Sequence, residues 1–383
     1  MRNDLRAFFW TLPVALIVSA LIGFLYFQTG RTNTIESLEP ELDAWIEDLA
    51  APHHQRFDEI GAMISTARLA YLEASSRLPE APRAAFDQAF PEFGDGTRRS
   101  HPALFDGFET ETGEWVYGIG AYLGDAEAMT PEQARWFWLG YDTVRRLGPD
   151  SVGMESSLYY FTPDRRAVLF APGRDDRLEF YRLTAPADFN MRGDEDYILF
   201  GAETNPDRAL QCTKISRLLS EDEGERTGMA CRIPLWAEDV LMGAIGTTFD
   251  VTALLDASAR TSPHGGSVWL LDHEAAIITR QSHAAYHTPG HSMDDMLARI
   301  PDARMGGVFR MENSLIAYRR IPHADWLLIS CVEIGPILTP LVWRGMFLAF
   351  ALFILLTLAA ALKTGLVTRL LPPFRTPGQR PAE

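Results

Sequence analysis

The chain offers few residues arranged for chemistry, and the clearest group is the stretch "SHAAYHTPGHSMDD". It sets His283, His287 and His291 four apart, with Asp294 and Asp295 close behind. Imidazoles and carboxylates at that spacing on one unbroken helix would suit zinc or a similar ion. Pro289 and Gly290 interrupt any helix between the second and third histidines, so only a loop could gather them, and solvated loop histidines are the plainer expectation. His53 and His54 are adjacent, point to different faces of a helix, and are expected to be solvated rather than joint ligands. The segment "CTKISRLLSEDEGERTGMAC" reads as two strands about the acidic turn Glu221 to Gly224, which would bring Cys212 and Cys231 roughly opposite each other. In an oxidising compartment they could bond, and two unpaired buried thiols are the alternative. The chain holds no Gly-x-Ser-x-Gly elbow, no His-Glu-x-x-His and no Gly-x-x-x-x-Gly-Lys loop. The expectation is therefore a binding protein without a cofactor, not an enzyme, the alternative being a membrane-anchored periplasmic metal-binding protein or enzyme that uses the His283, His287 and His291 loop. The acidic run Gly193 to Tyr197 reads as a surface loop.

These residues lie between two apolar runs. Ala7 to Phe27 is 21 residues long, which at about 1.5 Å each spans roughly 30 Å, the thickness of a bilayer's hydrocarbon core. It ends in aromatics rather than the small residues of a cleavage site, so it reads as an uncleaved anchor. The second run covers about Leu341 to Leu362. Arg2 and Arg6 precede the first, and Lys363, Arg369, Arg375 and Arg380 follow the second. The positive-inside rule then places both termini in the cytoplasm and everything between outside, as in a two-pass protein of a bacterial inner membrane with a large periplasmic domain. The chain carries a net charge of −16 and both ends are basic, so the outer part is strongly acidic. That composition argues against nucleic acid as a partner.

The expected organisation is a cytoplasmic N-terminus (1–6), a first span (7–28), a long stalk helix (29–78), a membrane-distal module (79–260), a membrane-proximal module (261–335), a second span (336–362) and a basic tail (363–383). The stalk shows Leu38, Leu42, Trp45, Ile46 and Leu49, then Ile60, Ile64, Ala67, Leu69 and Leu72, recurring at threes and fours, the pattern of one long amphipathic helix or two in line. Thr130, Pro131, Glu132 and Gln133 open a second helix with a capping sequence. Beyond it the period changes to strand pairs. These turn at Pro163-Asp164, at Glu238-Asp239, after Leu271, at Glu312-Asn313 and at His323 to Asp325, and Asp250 caps a helix between the two sets. The fold class is α+β, a long N-terminal helix on two antiparallel-sheet modules flanked by transmembrane helices.

The order of these elements resembles the double Cache sensor domains of bacterial chemoreceptors, sensor kinases and cyclases. Three stretches carry the resemblance: Asn205 to Leu255, with its Asn-Pro-x-Arg start, Pro strand and Gly-rich strand; the strand pair at Val268 to Thr279; and "IAYRRIPHADWLLISCVE" before the second span. It implies two PAS-like modules, the distal one holding a small ligand. The positions that grip an amino acid in that family correspond here to Leu219, Glu221 and Thr248. A neutral Thr248 cannot oppose an ammonium as an aspartate would, so a free amino acid is not the expected ligand. The residues expected to reach a pocket are Tyr160, Tyr197, Phe200, Arg208, Lys214, Glu221 and Thr248, with Arg208 and Lys214 able to meet a carboxylate and Arg208 alternatively tying down its loop. Lys363 to Glu383 is too short and too rich in proline for a signalling domain. The further expectations are a separate output protein and a homodimer joined along the stalk, the alternative being a truncated receptor with no partner.

Overall fold

The computed structural model describes residues 2–77, 80–109, 111–113, 115–116, 118–124, 129–154, 157–163, 166–170, 178–189, 205–217, 227–258, 260–282 and 292–363. The architecture is mixed helix and antiparallel sheet, with two sheets set along one long helix, α1 (Arg2–Arg77). The first apolar run and the stalk are one helix. Pro40 and Pro52 do not break it. Both lie on its exposed side, where the carbonyls they leave unbonded can be hydrated.

The buried stripe of α1 runs Leu38, Leu42, Ile46, Leu49, His53, Phe57, Ile60, Ile64, Ala67, Tyr71. Each large apolar member contributes about 1.5–3 kcal/mol by leaving water. Two expectations change here. Leu69 points outward and is 68% exposed, because it falls outside the three-and-four register that Ala67 and Tyr71 continue. His53 is fully buried rather than solvated, because it occupies a position of that same stripe.

After α1 come α2 (Arg83–Ala89), β1 (Arg98–Arg99), α3 (Pro102–Asp106), the pair β2 (Phe108–Glu109) and β3 (Trp115–Val116), β4 (Ile119–Leu123) and α4 (Pro131–Leu147). Thr130 caps α4 as expected, in a full capping box with Gln133. Strands β5 (Leu158–Phe161), β6 (Arg166–Phe170), β7 (Gln211–Cys212), β8 (Ser216–Arg217), β9 (Thr227–Ala237) and β10 (Val240–Asp250) complete the larger sheet. Its order is β1-β4-β6-β5-β10-β9-β7, with β8 also pairing β9. Helix α5 (Thr252–Ser258) follows, with the Thr252 N–H donating to Asp250 Oδ1 at 2.7 Å.

The smaller sheet contains β11 (Ser267–Leu271), β12 (Ile277–Ser282), β13 (Gly306–Met311), β14 (Ser314–Ile321) and β15 (Trp326–Glu333), in the order β12-β11-β15-β14-β13, and a short helix α6 (Met293–Leu297). Helix α7 (Ile334–Lys363) begins at the residue after β15. The smaller sheet meets the span-proximal part of α1, where Arg319 of β14 pairs with Asp43 at 3.1 Å and with Glu47. The larger sheet meets the far part, where Tyr71 stacks on Tyr160.

Helices α1 and α7 are both long and apolar enough to cross a membrane. They cross closely at small residues. A Cβ on Gly23 would lie 2.8 Å from the Ala349 Cβ and 2.9 Å from the Gly345 carbonyl, and one on Gly30 would meet Leu341 at 2.8 Å. Small side chains let two apolar helices approach to the point where backbone packs on backbone, which is what holds helices together in lipid.

Candidate functional site

Strand side chains alternate between faces, so the register of the larger sheet sorts its residues into two sets. On the side of α1 and α4, one row across β4, β6, β5, β10 and β9 reads Ala121, Val168, Tyr160, Ile245, Ile233. On the other side, one row reads Tyr122, Ala167, Phe161, Ala244, Pro234, and the neighbouring row brings Gly120, Tyr159, Gly246, Arg232 and Gln211 together. That outer face is the candidate site.

Its centre is a guanidinium lying on aromatic rings. Arg232 Nε donates to the Tyr159 hydroxyl at 2.8 Å, and the guanidinium carbon lies 5.2 Å from the Phe161 ring centre and 5.7 Å from that of Tyr159. Gly246 makes room for this arrangement, since a Cβ there would meet Arg232 Cγ at 2.7 Å and the Tyr159 ring at 2.8 Å. Ala244, the next position on that face, adds only a methyl group.

A polar anchor at the far edge folds a segment over this face. Arg99 is 1% exposed and sits over the rings of Tyr122 and Phe93 at 4.5 and 4.9 Å. It donates to Thr97 Oγ1, to Asp95 Oδ2, and to the carbonyls of Tyr181 and Ala185 at 3.1 and 2.6 Å. Burial works against the charge of Asp95, yet hydrogen bonds from Thr97 and the Arg99 guanidinium hold its carboxyl below the usual carboxylate range. The Tyr122 hydroxyl donates to the Ala187 carbonyl at 2.9 Å, and its ring meets Phe189 edge-on at 5.7 Å. Leu178 then packs with Tyr159, Phe105 and Tyr181. Residues 178–189, which include a π-helical turn at Phe180–Thr184, thus form one wall beside the Arg232 floor.

The residues singled out from sequence are distributed as follows. Tyr160 lies on the helix side, fully buried, stacked on Tyr71 at 5.5 Å and donating to the Met242 carbonyl at 2.9 Å. Met242 is the extra residue of a bulge between Leu241 and Gly243, so the Tyr160 hydroxyl satisfies a carbonyl that the bulge takes out of the ladder. Its neighbours Tyr159 and Phe161 carry the site face instead. Thr248 lies on the outer face, its backbone N–H held by Ser157 Oγ at 3.1 Å. Arg208 does tie down its loop: it donates to the Glu238 carbonyl at 2.9 Å, pairs with Asp239 at 3.5 Å and covers Trp236 at 4.6 Å. Lys214 meets a carboxylate of the chain itself, Glu274, at 2.9 Å. Cys212 and Cys231 are directly paired across β7 and β9 and joined in a disulfide. Tyr197, Phe200 and Glu221 lie outside the described residues, as do His283, His287 and His291. Among the described residues no cluster of His, Cys, Asp or Glu could hold a metal ion.

Sequence reading missed Tyr159, Phe161, Arg232, Arg99 and Tyr122. The alternation in "LYYF" and "CRIPLW" is the signal that sorts most of them, once one face is fixed by its contact with α1.

No family model matches the chain, and no curated protein does. Similar solved structures include ligand-binding and sensory domains of chemoreceptors. The sensory domain of the Campylobacter jejuni chemoreceptor Tlp3 with isoleucine bound is 9% identical, with a TM-score of 0.38, over 83% of this chain and 98% of that one. The ligand-binding domain of the Pseudomonas aeruginosa amino acid chemoreceptor PctC in complex with GABA is 12% identical, with a TM-score of 0.32, over 50% of this chain and 80% of that one. That of the Pseudomonas fluorescens chemoreceptor CtaA in complex with L-alanine is 10% identical, with a TM-score of 0.31, over 51% and 80%.

Proposed function

We propose that this chain is a membrane-anchored sensor that binds a small ligand on the outer face of the larger sheet and passes the resulting shift to its two spans. One observation carries the reading: β5 presents Tyr159 and Phe161 to the site and, between them, Tyr160 to α1. A displacement of that strand is felt at Tyr71, and α1 runs without interruption from there into the first span. The second span is equally direct, since α7 continues β15 with no intervening loop.

The floor suggests the ligand's chemistry. A guanidinium beside half-buried rings suits a carboxylate or phosphate attached to a flat or apolar group. Binding that favours one of two arrangements of the sheet shifts a population, and the work is done by differential affinity rather than by bond making. The sensor sits in a bacterial inner membrane with the sheets in the periplasm. Its movement is read by a second protein at the membrane, with the chain acting as a dimer along α1.

The test uses the full chain in lipid nanodiscs with nitroxide labels on Thr32→Cys and Thr339→Cys, two exposed positions at the membrane ends of the sheets. A compound that raises the melting temperature shifts the distance distribution between the labels. A saturating compound that leaves the distribution unchanged contradicts the coupling, and one that still binds Arg232→Ala with undiminished affinity contradicts the site.

A further inference from the structure

Residues 205–217 form a strap at the edge of the larger sheet that touches both sheets. At its start Asn205 closes a loop through Ala209, and Arg208 reaches the β9–β10 turn. Leu210 lies against α1 beside a turn of the smaller sheet: the Cβ position of Gly61 is 3.6 Å from Leu210 and 3.8 Å from the His323 ring. Cys212 is bonded to Cys231 in the middle of β9. Thr213 exchanges hydrogen bonds with Ala230 at 2.7 and 3.1 Å. Lys214, two residues past the disulfide, reaches Glu274 in the β11–β12 turn of the smaller sheet.

Strands β7 and β8 are only two residues each, so few ladder bonds hold the strap. The Lys214–Glu274 pair is exposed on both sides, and such a pair does little when its partners are free to wander. It acts here because Lys214 hangs close to a covalent anchor. Cys231 is fully buried, whereas Cys212 is half-buried on the terminal strand of the sheet, so an external thiolate reaches the Cys212 sulfur first.

We propose that the Cys212–Cys231 disulfide is a thiol-exchange site, with a dithiol as its reductant, whose state sets how firmly the strap couples the larger sheet to the smaller one. In the exchange, one thiolate of the dithiol attacks Cys212 Sγ and Cys231 leaves as a thiolate that takes up a proton. The second thiol then closes on the mixed disulfide and releases Cys212 as a thiol. The dithiol ends as a cyclic disulfide, having supplied two electrons and two protons. Oxidised, the strap links the two sheets; reduced, β7 and Lys214 leave their places and the β11–β12 turn loses its tie. This goes beyond ligand sensing and is defined without any ligand, so it stands or falls separately from the reading above.

The experiment is hydrogen exchange on the full chain in nanodiscs, with and without dithiothreitol. Alkylation of the reduced sample is read peptide by peptide, to show that Cys212 and Cys231 have opened while the buried Cys331 has not. The expected result is exchange faster by roughly tenfold or more both at 209–217 and at 272–275, with β14 and β15 unchanged. Faster exchange confined to the strap, loss of protection across both sheets, or a bond that dithiothreitol cannot open in the folded protein overturns the proposal. The double variant Cys212→Ser with Cys231→Ser, where it folds, reproduces the reduced pattern without reductant, and an unchanged 272–275 in that variant overturns it equally.

Discussion

The two sheets share a plan and differ in what fills their outer faces. In the smaller one, Trp269, Leu271, Ile316, Tyr318, Leu327 and Ile329 pack with Met296 and Ile300 into a closed apolar cluster. In the larger one, the same side carries Ala167, Ala244 and Gly246, with Tyr159, Phe161 and Arg232 standing beside them. A face filled with large apolar side chains has its contacts already made. The larger sheet's outer face instead has small buried residues, with rings and a cation beside them. That difference supports the proposed division, with the larger sheet receiving a ligand and the smaller one linking it to the spans.

The largest effect comes from opening the filled face. Ile316→Ala removes a fully buried side chain and is expected to cost about 2–5 kcal/mol, seen as a lower denaturant midpoint, with no gain of ligand binding. A cost near zero would mean that the cluster is not the core it is described as.

Next is the seam between the sheets. His53 of α1 faces Ser258 beyond the larger sheet, at 2.7 Å, and the Trp326 ring of the smaller sheet edge-on at 6.0 Å. The Ser258 hydroxyl donates to Leu254, so His53 Nε2 is the donor to it. Burial, with a smaller contribution from His54, lowers the His53 pKa to about 4. Between that value and the ordinary one near 6.5, the unfolded chain binds a proton that the folded chain does not. The associated stability is therefore complete above pH 6.5 and lost as pH falls towards 4, by about 3 kcal/mol in all. His53→Leu should flatten this part of the pH–stability curve. An unchanged slope would place the titration elsewhere.

On the outer face of the larger sheet, Gly246→Val drives a side chain into Arg232 and Tyr159. It is expected to cost about 1–3 kcal/mol in denaturation and to abolish ligand-induced stabilisation. Retained stabilisation would move the site off this floor. The smallest effect belongs to Thr130→Ala, which removes the cap of α4 for about 1 kcal/mol and leaves ligand response intact, because α4 lies on the other side of the sheet.

Much of the fold was legible because local signals agreed with the global arrangement. The capping residues of α4, the turn at Glu238-Asp239 and the three closing strands all formed where the pattern put them. The site was less legible for a reason of parity. A strand of alternating faces is read correctly only once one residue is fixed, and in "LYYF" a step of one exchanges Tyr160 for Tyr159 and Phe161. The paired β1 and β4 escaped notice because one is two residues long and the other is buried on both faces, so neither alternates. His53 was misjudged by residue type, although the spacing from Leu49 to Phe57 placed it in the buried stripe.

The most direct test of the central claim is a thermal screen of the full chain in nanodiscs against small carboxylates and phosphates. It is run in parallel on the unaltered chain, on Phe161→Ala and on the smaller-sheet variant Tyr318→Phe. The account predicts at least one compound that raises the melting temperature of the unaltered chain and of Tyr318→Phe but not of Phe161→Ala. A compound whose effect survives Phe161→Ala and disappears in Tyr318→Phe would contradict it.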